Sequence, residues 1–108
     1  MAVKLLDAVT STGVSSSWPL RMGVKEHTVQ ATFTGDPTAV TILLEGSLDE
    51  QTWYQLAVHN AIGDDLTNQQ TMFHVTSKLV NAIRINLSTL TGGTSPTVTA
   101  LYDGEESR

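Results

Sequence analysis

The sequence has no cysteine, so neither a disulfide framework nor a thiolate metal site can form. Charge is scarce: Lys, Arg, Asp and Glu together make up 16% of the 108 residues. The few charges are also unbalanced, with a formal net charge of -5 at neutral pH. Affinity for nucleic acid comes largely from neutralising phosphates, so nucleic acid is not an expected partner. No apolar stretch approaches the ~20 residues that span a bilayer, and no membrane is expected either. Asp7 interrupts the apolar start before a signal-peptide core can form, so the chain is expected to be made in the cytoplasm as a soluble protein. Also missing is an apolar stripe of helical period sustained over the ~12 residues a typical helix needs.

What remains is a chain rich in Ser and Thr, with short runs that alternate in polarity. Residues 27–33 set Val29, Ala31 and Phe33 on one face and Thr28, Gln30 and Thr32 on the other. Such period-two alternation marks a half-buried strand. Residues 3–9, 40–45, 52–58, 71–75, 79–88 and 97–102 read as further strands, with Ile83, Ile85 and Leu87 sharing one face. Charged Lys4 and Asp7 suit an edge strand. Pro19 lacks an N–H donor and belongs at an edge or strand start. Gly35-Asp36-Pro37 is turn chemistry, and residues 10–17 and 60–68 read as loops. Seven or eight short strands at this spacing predict an all-β, antiparallel β-sandwich in one domain. Its expected core includes Trp53, Leu56, Ile83, Ile85 and Leu87.

No group of residues assembles a reaction, so an enzyme is not expected, and no catalytic, cofactor-binding or metal-binding residues are assigned. His27, His59 and His74 share no short ligand spacing and are expected at the surface or rim. Asp64, Asp65 and Asn68 offer oxygens but lack the calcium-loop pattern. Asp49 reads as a turn former whose carboxylate accepts local N–H groups. Ser47 has no elbow motif or nearby histidine. Gly92-Gly93-Thr94 lacks the lysine and helix of a phosphate loop. Trp53, just after a turn, is expected to plug one end of the core. Trp18 sits beside Pro19 with no alternation to orient it, and could contact a partner.

The segment Leu44-Glu45-Gly46-Ser47-Leu48-Asp49 with Trp53 and Leu56 resembles the strand–turn–strand of small β-sandwich proteins in tailed-bacteriophage virions. Ala82 to Leu87, followed by a Gly-rich turn and Thr97-Val98-Thr99, is similar to a second hallmark of that group. The resemblance implies a jelly-roll or discoidin-like sandwich acting as a virion structural protein. The implied role is a head decoration (cement) protein, a homo-oligomer (trimer) bound to the major capsid protein or another virion protein on the capsid surface. A small tail or fibre component, or a carbohydrate-binding host-attachment module, is the alternative. The expected organisation is an interface-forming N-terminal arm or edge strand over residues 1–22, a sandwich core over 23–103 and a flexible tail over 104–108. Leu5, Leu6, Trp18, Leu20 and Met22 in that arm are the candidate partner interface. Glu50 stands where the group usually has Gly, so a tight turn with positive φ is not expected there.

Overall fold

A computed structural model describes residues 2–106; for Arg21, Met22, Glu105 and Glu106 only the backbone is described. The strands are β1 (Val3–Val9), β2 (Gly13–Val14), β3 (Trp18–Thr34), β4 (Ala39–Ser47), β5 (Tyr54–Ala61), β6 (Gln70–Val75), β7 (Val80–Thr91) and β8 (Thr97–Glu106). One short helix, α1 (Asp64–Asn68), lies within the segment expected as loop. At five residues it is too short to carry a readable period. Every strand pair is antiparallel, and the continuous path runs β1-β8-β3-β7-β4-β5, with β6 on β3 and β2 on β7.

The path folds into two layers because β3 serves both. Its start pairs with β7 (Trp18 opposite Ile83, Pro19 opposite Ala82), and its longer remainder pairs with β8 and β6. The register shifts between Pro19 and Val24, and again between Val24 and Glu26. Such shifts bend a strand and let it cross from one layer to the next. Pro19 sits near the start of this strand, where a missing donor is tolerated.

The core forms where the inward residues of the two layers meet. Val29, Ala31, Phe33, Val98, Ala100 and Tyr102 come from one layer; Val40, Ile42, Leu44, Ile83, Ile85 and Leu87 come from the other. Each of the larger aliphatic side chains contributes about 1.5–3 kcal/mol by leaving water. Within the N-terminal segment, β1 is an edge strand paired with β8, while Leu6, expected at the partner interface, is 4% exposed and belongs to the core cluster. The residues from Trp18 to Met22 run within β3. Residues 104–106, expected in a tail, continue β8, and Gly104 pairs with His27.

At one end of the sandwich two turns interlock. The Thr94 N–H donates to the Gly35 carbonyl at 2.8 Å, and the Thr38 N–H donates to the Thr91 carbonyl at 2.8 Å. Gly35 has φ 81 and Gly93 φ 70, conformations that L side chains rarely adopt. A Cβ on Gly93 would collide with the Gly35 carbonyl oxygen, and one on Gly35 with the Thr94 carbonyl oxygen. Backbone lies against backbone here, so no side chain can yield. Gly93→Ala is expected to lower unfolding free energy by about 2–4 kcal/mol, through strain and separation of the turns. Urea unfolding of the wild type and the variant measures it.

Candidate functional site

On the outer face of β4 and β7, the strand pairing sets Glu45 opposite Arg84. Arg84 Nε donates to Glu45 Oε1 at 2.6 Å, and Asn86 Nδ2 donates to Glu45 Oε2 at 3.2 Å. The Arg84 guanidinium also lies 4.5 Å from the centre of the Trp53 ring. Trp53 is therefore not the expected core plug: it is half-buried and lies outside the core cluster. The loop before β5 folds back over the outside of the sheet, and its indole covers an ion pair. Partial burial beneath a ring face strengthens both the charge pair and the cation–π contact.

The turn between β4 and β5 is held by two side chains. Ser47 is buried; its Oγ accepts from the N–H groups of Asp49 (3.2 Å) and Glu50 (2.8 Å), and donates to Asp49 Oδ1 (2.9 Å). Asp49 Oδ1 also accepts from the N–H groups of Gln51 (2.9 Å) and Thr52 (2.8 Å). The Thr52 and Gln51 amides, then the Ser47 hydroxyl, favour the charged carboxylate and pull its pKa down to about 2. The turn forming role read from the sequence for Asp49 is thus visible atom by atom. Glu50, however, adopts φ 61, the left-handed conformation that was not expected without glycine. The hydrogen bonds of Ser47 and Asp49 over-determine the turn and hold Glu50 there. Glu50→Gly relieves that strain while freeing the unfolded chain, and is expected to stabilise by a few tenths to about 1 kcal/mol in urea unfolding.

The histidines occupy three different environments. His74 is exposed on β6, with Nδ1 2.9 Å from Thr28 Oγ1. His59 stacks on Phe73, ring centres 5.0 Å apart. Its Nε2 is 3.0 Å from Asp65 Oδ2 and 2.7 Å from Thr71 Oγ1, and Thr71 Oγ1 donates to the same carboxylate oxygen at 3.1 Å. In a nucleophile–base–acid relay the carboxylate and the nucleophile hold opposite ring nitrogens. Here one nitrogen meets both, so the trio is a brace between β5, α1 and β6.

His27 departs most from its expected surface position: it is 2% exposed. Nε2 is 2.8 Å from the Lys78 carbonyl oxygen, which can only accept, so Nε2 carries the proton. Nδ1 then accepts from the Tyr102 hydroxyl at 2.7 Å. Burial lowers the His27 pKa below 6.5, against smaller upward pushes from the Lys78 carbonyl and Glu26. Burial, helped by Asp103, raises that of the Tyr102 hydroxyl. The alternation of residues 27–33 already places His27 on the same face as Val29; the signal was present in the period and missed in the residue type.

The candidate interface residues divide. Leu6 faces the core and is not available to a partner. Leu5 and Leu20 are half-buried and pack against the core cluster. Trp18 is 45% exposed. The side chain of Met22 lies outside the described residues. Of the expected core residues, Ile83, Ile85 and Leu87 are fully buried and Leu56 packs against the cluster while partly buried. Exposed apolar residues that the sequence did not single out include Val14 (53%), beside β7, and Leu79 (53%), just before it.

Neither a family model nor a curated protein matches this chain. Solved structures match it in fold. The SPBc2 prophage-derived protein YomS superposes with a TM-score of 0.58 at 14% identity, covering 94% of this chain and 90% of that one. CBM32-3 from a family 31 glycoside hydrolase of Clostridium perfringens gives 0.59 at 9% identity, covering 89% and 76%. The CBM32 of AlyQ, solved with 4,5-unsaturated mannuronic acid, gives 0.55 at 13% identity, covering 89% and 74%. What is shared at such identities is architecture. The chain is a β-sandwich of the discoidin-like kind found in these carbohydrate-binding modules and in the prophage-derived protein.

The buried neutral His27 makes stability depend on pH. Its folded pKa lies below the unfolded value, so the unfolded chain binds more protons as pH falls through that value. The contribution is complete above about pH 6.5 and is lost on acidification below it. His27→Gln, which keeps a donor toward the Lys78 carbonyl, is expected to lose less stability than the wild type between about pH 7.5 and about pH 5.5. Urea midpoints at the two pH values give the comparison; equal losses would remove His27 as the source.

Proposed function

We propose that this protein is a structural protein of a tailed-bacteriophage virion, a decoration protein that binds the major capsid protein shell and stabilises it. Its role on this reading is binding, without catalysis. The observation that carries the reading is a set of exposed apolar side chains beside β7 on an otherwise hydroxyl-rich, sparsely charged sandwich. Val14 and Trp18 flank β7 at Asn86 and Ile83, and Leu79 stands just before the strand begins. All three are 45–53% exposed. Exposed apolar groups gathered beside one strand are surface that a partner can cover. The end-to-end likeness to a prophage-derived protein supports the setting.

The test is made on particles. Mass spectrometry of purified virions is expected to find this chain, and cryo-electron microscopy to show it on the capsid exterior. With purified capsids, Trp18→Ala combined with Leu79→Ala is expected to weaken co-sedimentation at least about tenfold, since truncating a buried aromatic anchor commonly costs 2 kcal/mol or more. Absence from particles, density confined to tails, or unchanged binding by the double variant would each overturn the capsid assignment. Light scattering on the free protein checks the homo-oligomer, a trimer, that belongs to this reading.

A further inference from the structure

We propose that the outer face of the β6-β3-β8 layer is a groove that binds an uncharged oligosaccharide. This goes beyond the capsid reading and does not depend on it. The face carries three adjoining depressions. The first, about 420 Å³, lies against α1 and includes Asp65, Asn68, Gln70 and Thr71. It shares Gln30 and Met72 with a second, about 210 Å³, that also takes in Leu101. The second shares Thr28 and Asp103 with a third, about 730 Å³, that extends to His74 and Glu26. Neighbours with common walls form one trough. It follows β3 from Gln30 to Glu26, about 13 Å at ~3.3 Å per residue, and continues onto α1. That length suits a chain of sugar rings better than a single ring.

The register explains why these side chains converge. Gln30 stands between Met72 on β6 and Leu101 on β8, and Thr28 stands between His74 and Asp103. The walls of the trough are braced by Thr28 with His74 and by Thr71 with Asp65 and His59. Between and beside these braces, the amides of Gln30, Asn68 and Gln70 have no hydrogen-bond partner among the described residues. Each amide presents donors and an acceptor together, which matches a hydroxyl that both gives and takes. Met72, 51% exposed, and Leu101 offer apolar surface for the C–H faces of a sugar.

Charge and backbone pairing narrow the occupant. Among the described residues, the acidic side chains lining the trough are Glu26, Asp65 and Asp103, and there is no lysine or arginine. Phosphates, sulfates and uronates find no lysine or arginine here to pair with. An extended peptide gains its affinity by adding to an open strand edge. The floor here is β3, whose backbone is already paired on both sides, with β6 and with β8. Side-chain amides and hydroxyls are what this floor presents, and a neutral glycan is the chemistry they fit.

The test uses the whole chain on an array of neutral hexose and N-acetylhexosamine oligosaccharides and of uronate oligosaccharides, followed by calorimetric titration of the binders. Neutral chains are expected to bind and uronates to be rejected. Gln30→Ala is expected to weaken binding about tenfold, the loss of roughly one hydrogen bond to the ligand, and Gln30→Ala with Met72→Ala to weaken it further. Both positions are exposed, and unchanged melting confirms that the variants fold. Tyr54→Ala, on the opposite layer, is expected to leave binding intact. No binding of neutral chains, a preference for uronates, or sensitivity to Tyr54→Ala but not to Gln30→Ala would each overturn the proposal. Capsid co-sedimentation of Gln30→Ala reports separately on the capsid reading.

Discussion

Because β3 hydrogen-bonds to β7 at its start and to β8 and β6 further along, the two layers cannot part without breaking that ladder. The bend that allows this falls between Pro19 and Glu26, where the register shifts twice. Everything inward depends on it. Ile83 and Ile85 on one layer meet Val29 and Ala100 on the other only because β3 carries the sheet around the corner. The same crossing fixes His27 just past the bend, where it ties β3 to Tyr102 on β8 and to the Lys78 carbonyl before β7. A buried polar network is costly when incomplete, and this one is complete: no buried side-chain nitrogen or oxygen among the described residues lacks a partner.

The two outer faces have been settled differently. On the β4-β7 face, Glu45 is held by Arg84 and Asn86, and Trp53 covers the guanidinium. Its polar groups are spent on one another, and the face is closed. On the β6-β3-β8 face, the amides of Gln30, Asn68 and Gln70 are left without partners among the described residues. Neutral cross-strand links also occur, the Thr34 and Thr97 hydroxyls at 2.6 Å and the Thr41 hydroxyl donating to Asn60 Oδ1 at 2.7 Å. Such links are less sensitive to salt than surface ion pairs, whose attraction is screened.

Most of the strand content was legible in the sequence, because alternation reports which side of a strand is buried, and burial is what selects it. Val29, Ala31 and Phe33, or Ile83, Ile85 and Leu87, announce themselves. What alternation cannot report is the partner across the sheet. Leu6 reads as interface in an edge strand because the strand that buries it lies some ninety residues away, and only the assembled fold reveals the Val3–Tyr102 ladder. Trp53 was assigned to the core because an aromatic beside a turn usually faces inward; the guanidinium that draws it outside comes from another strand. His27 was read by its residue type rather than by its place in the alternation. Glu50 shows a local preference overruled by neighbours, since four hydrogen bonds onto Ser47 and Asp49 set the turn whatever its third residue prefers. The groove was invisible for the same reason as the Leu6 pairing, as its walls come from strands distant in sequence.

The place of β8 in the sheet also governs the order in which the fold can be completed. It lies between β1 and β3, so these two strands have no direct ladder with each other. A nascent chain emerges from its N-terminus, and β1 and most of β3 appear long before residues 97–106. Until then the facing edges of both strands stand unpaired, and the largest share of the first layer's hydrogen bonds waits on the last strand made. Pairings of such sequence separation make assembly slow, because the chain must close a long loop before any contact rewards it. In this protein β8 fills the place between β1 and β3, so the sandwich stays incomplete until residues 97–106 are in hand.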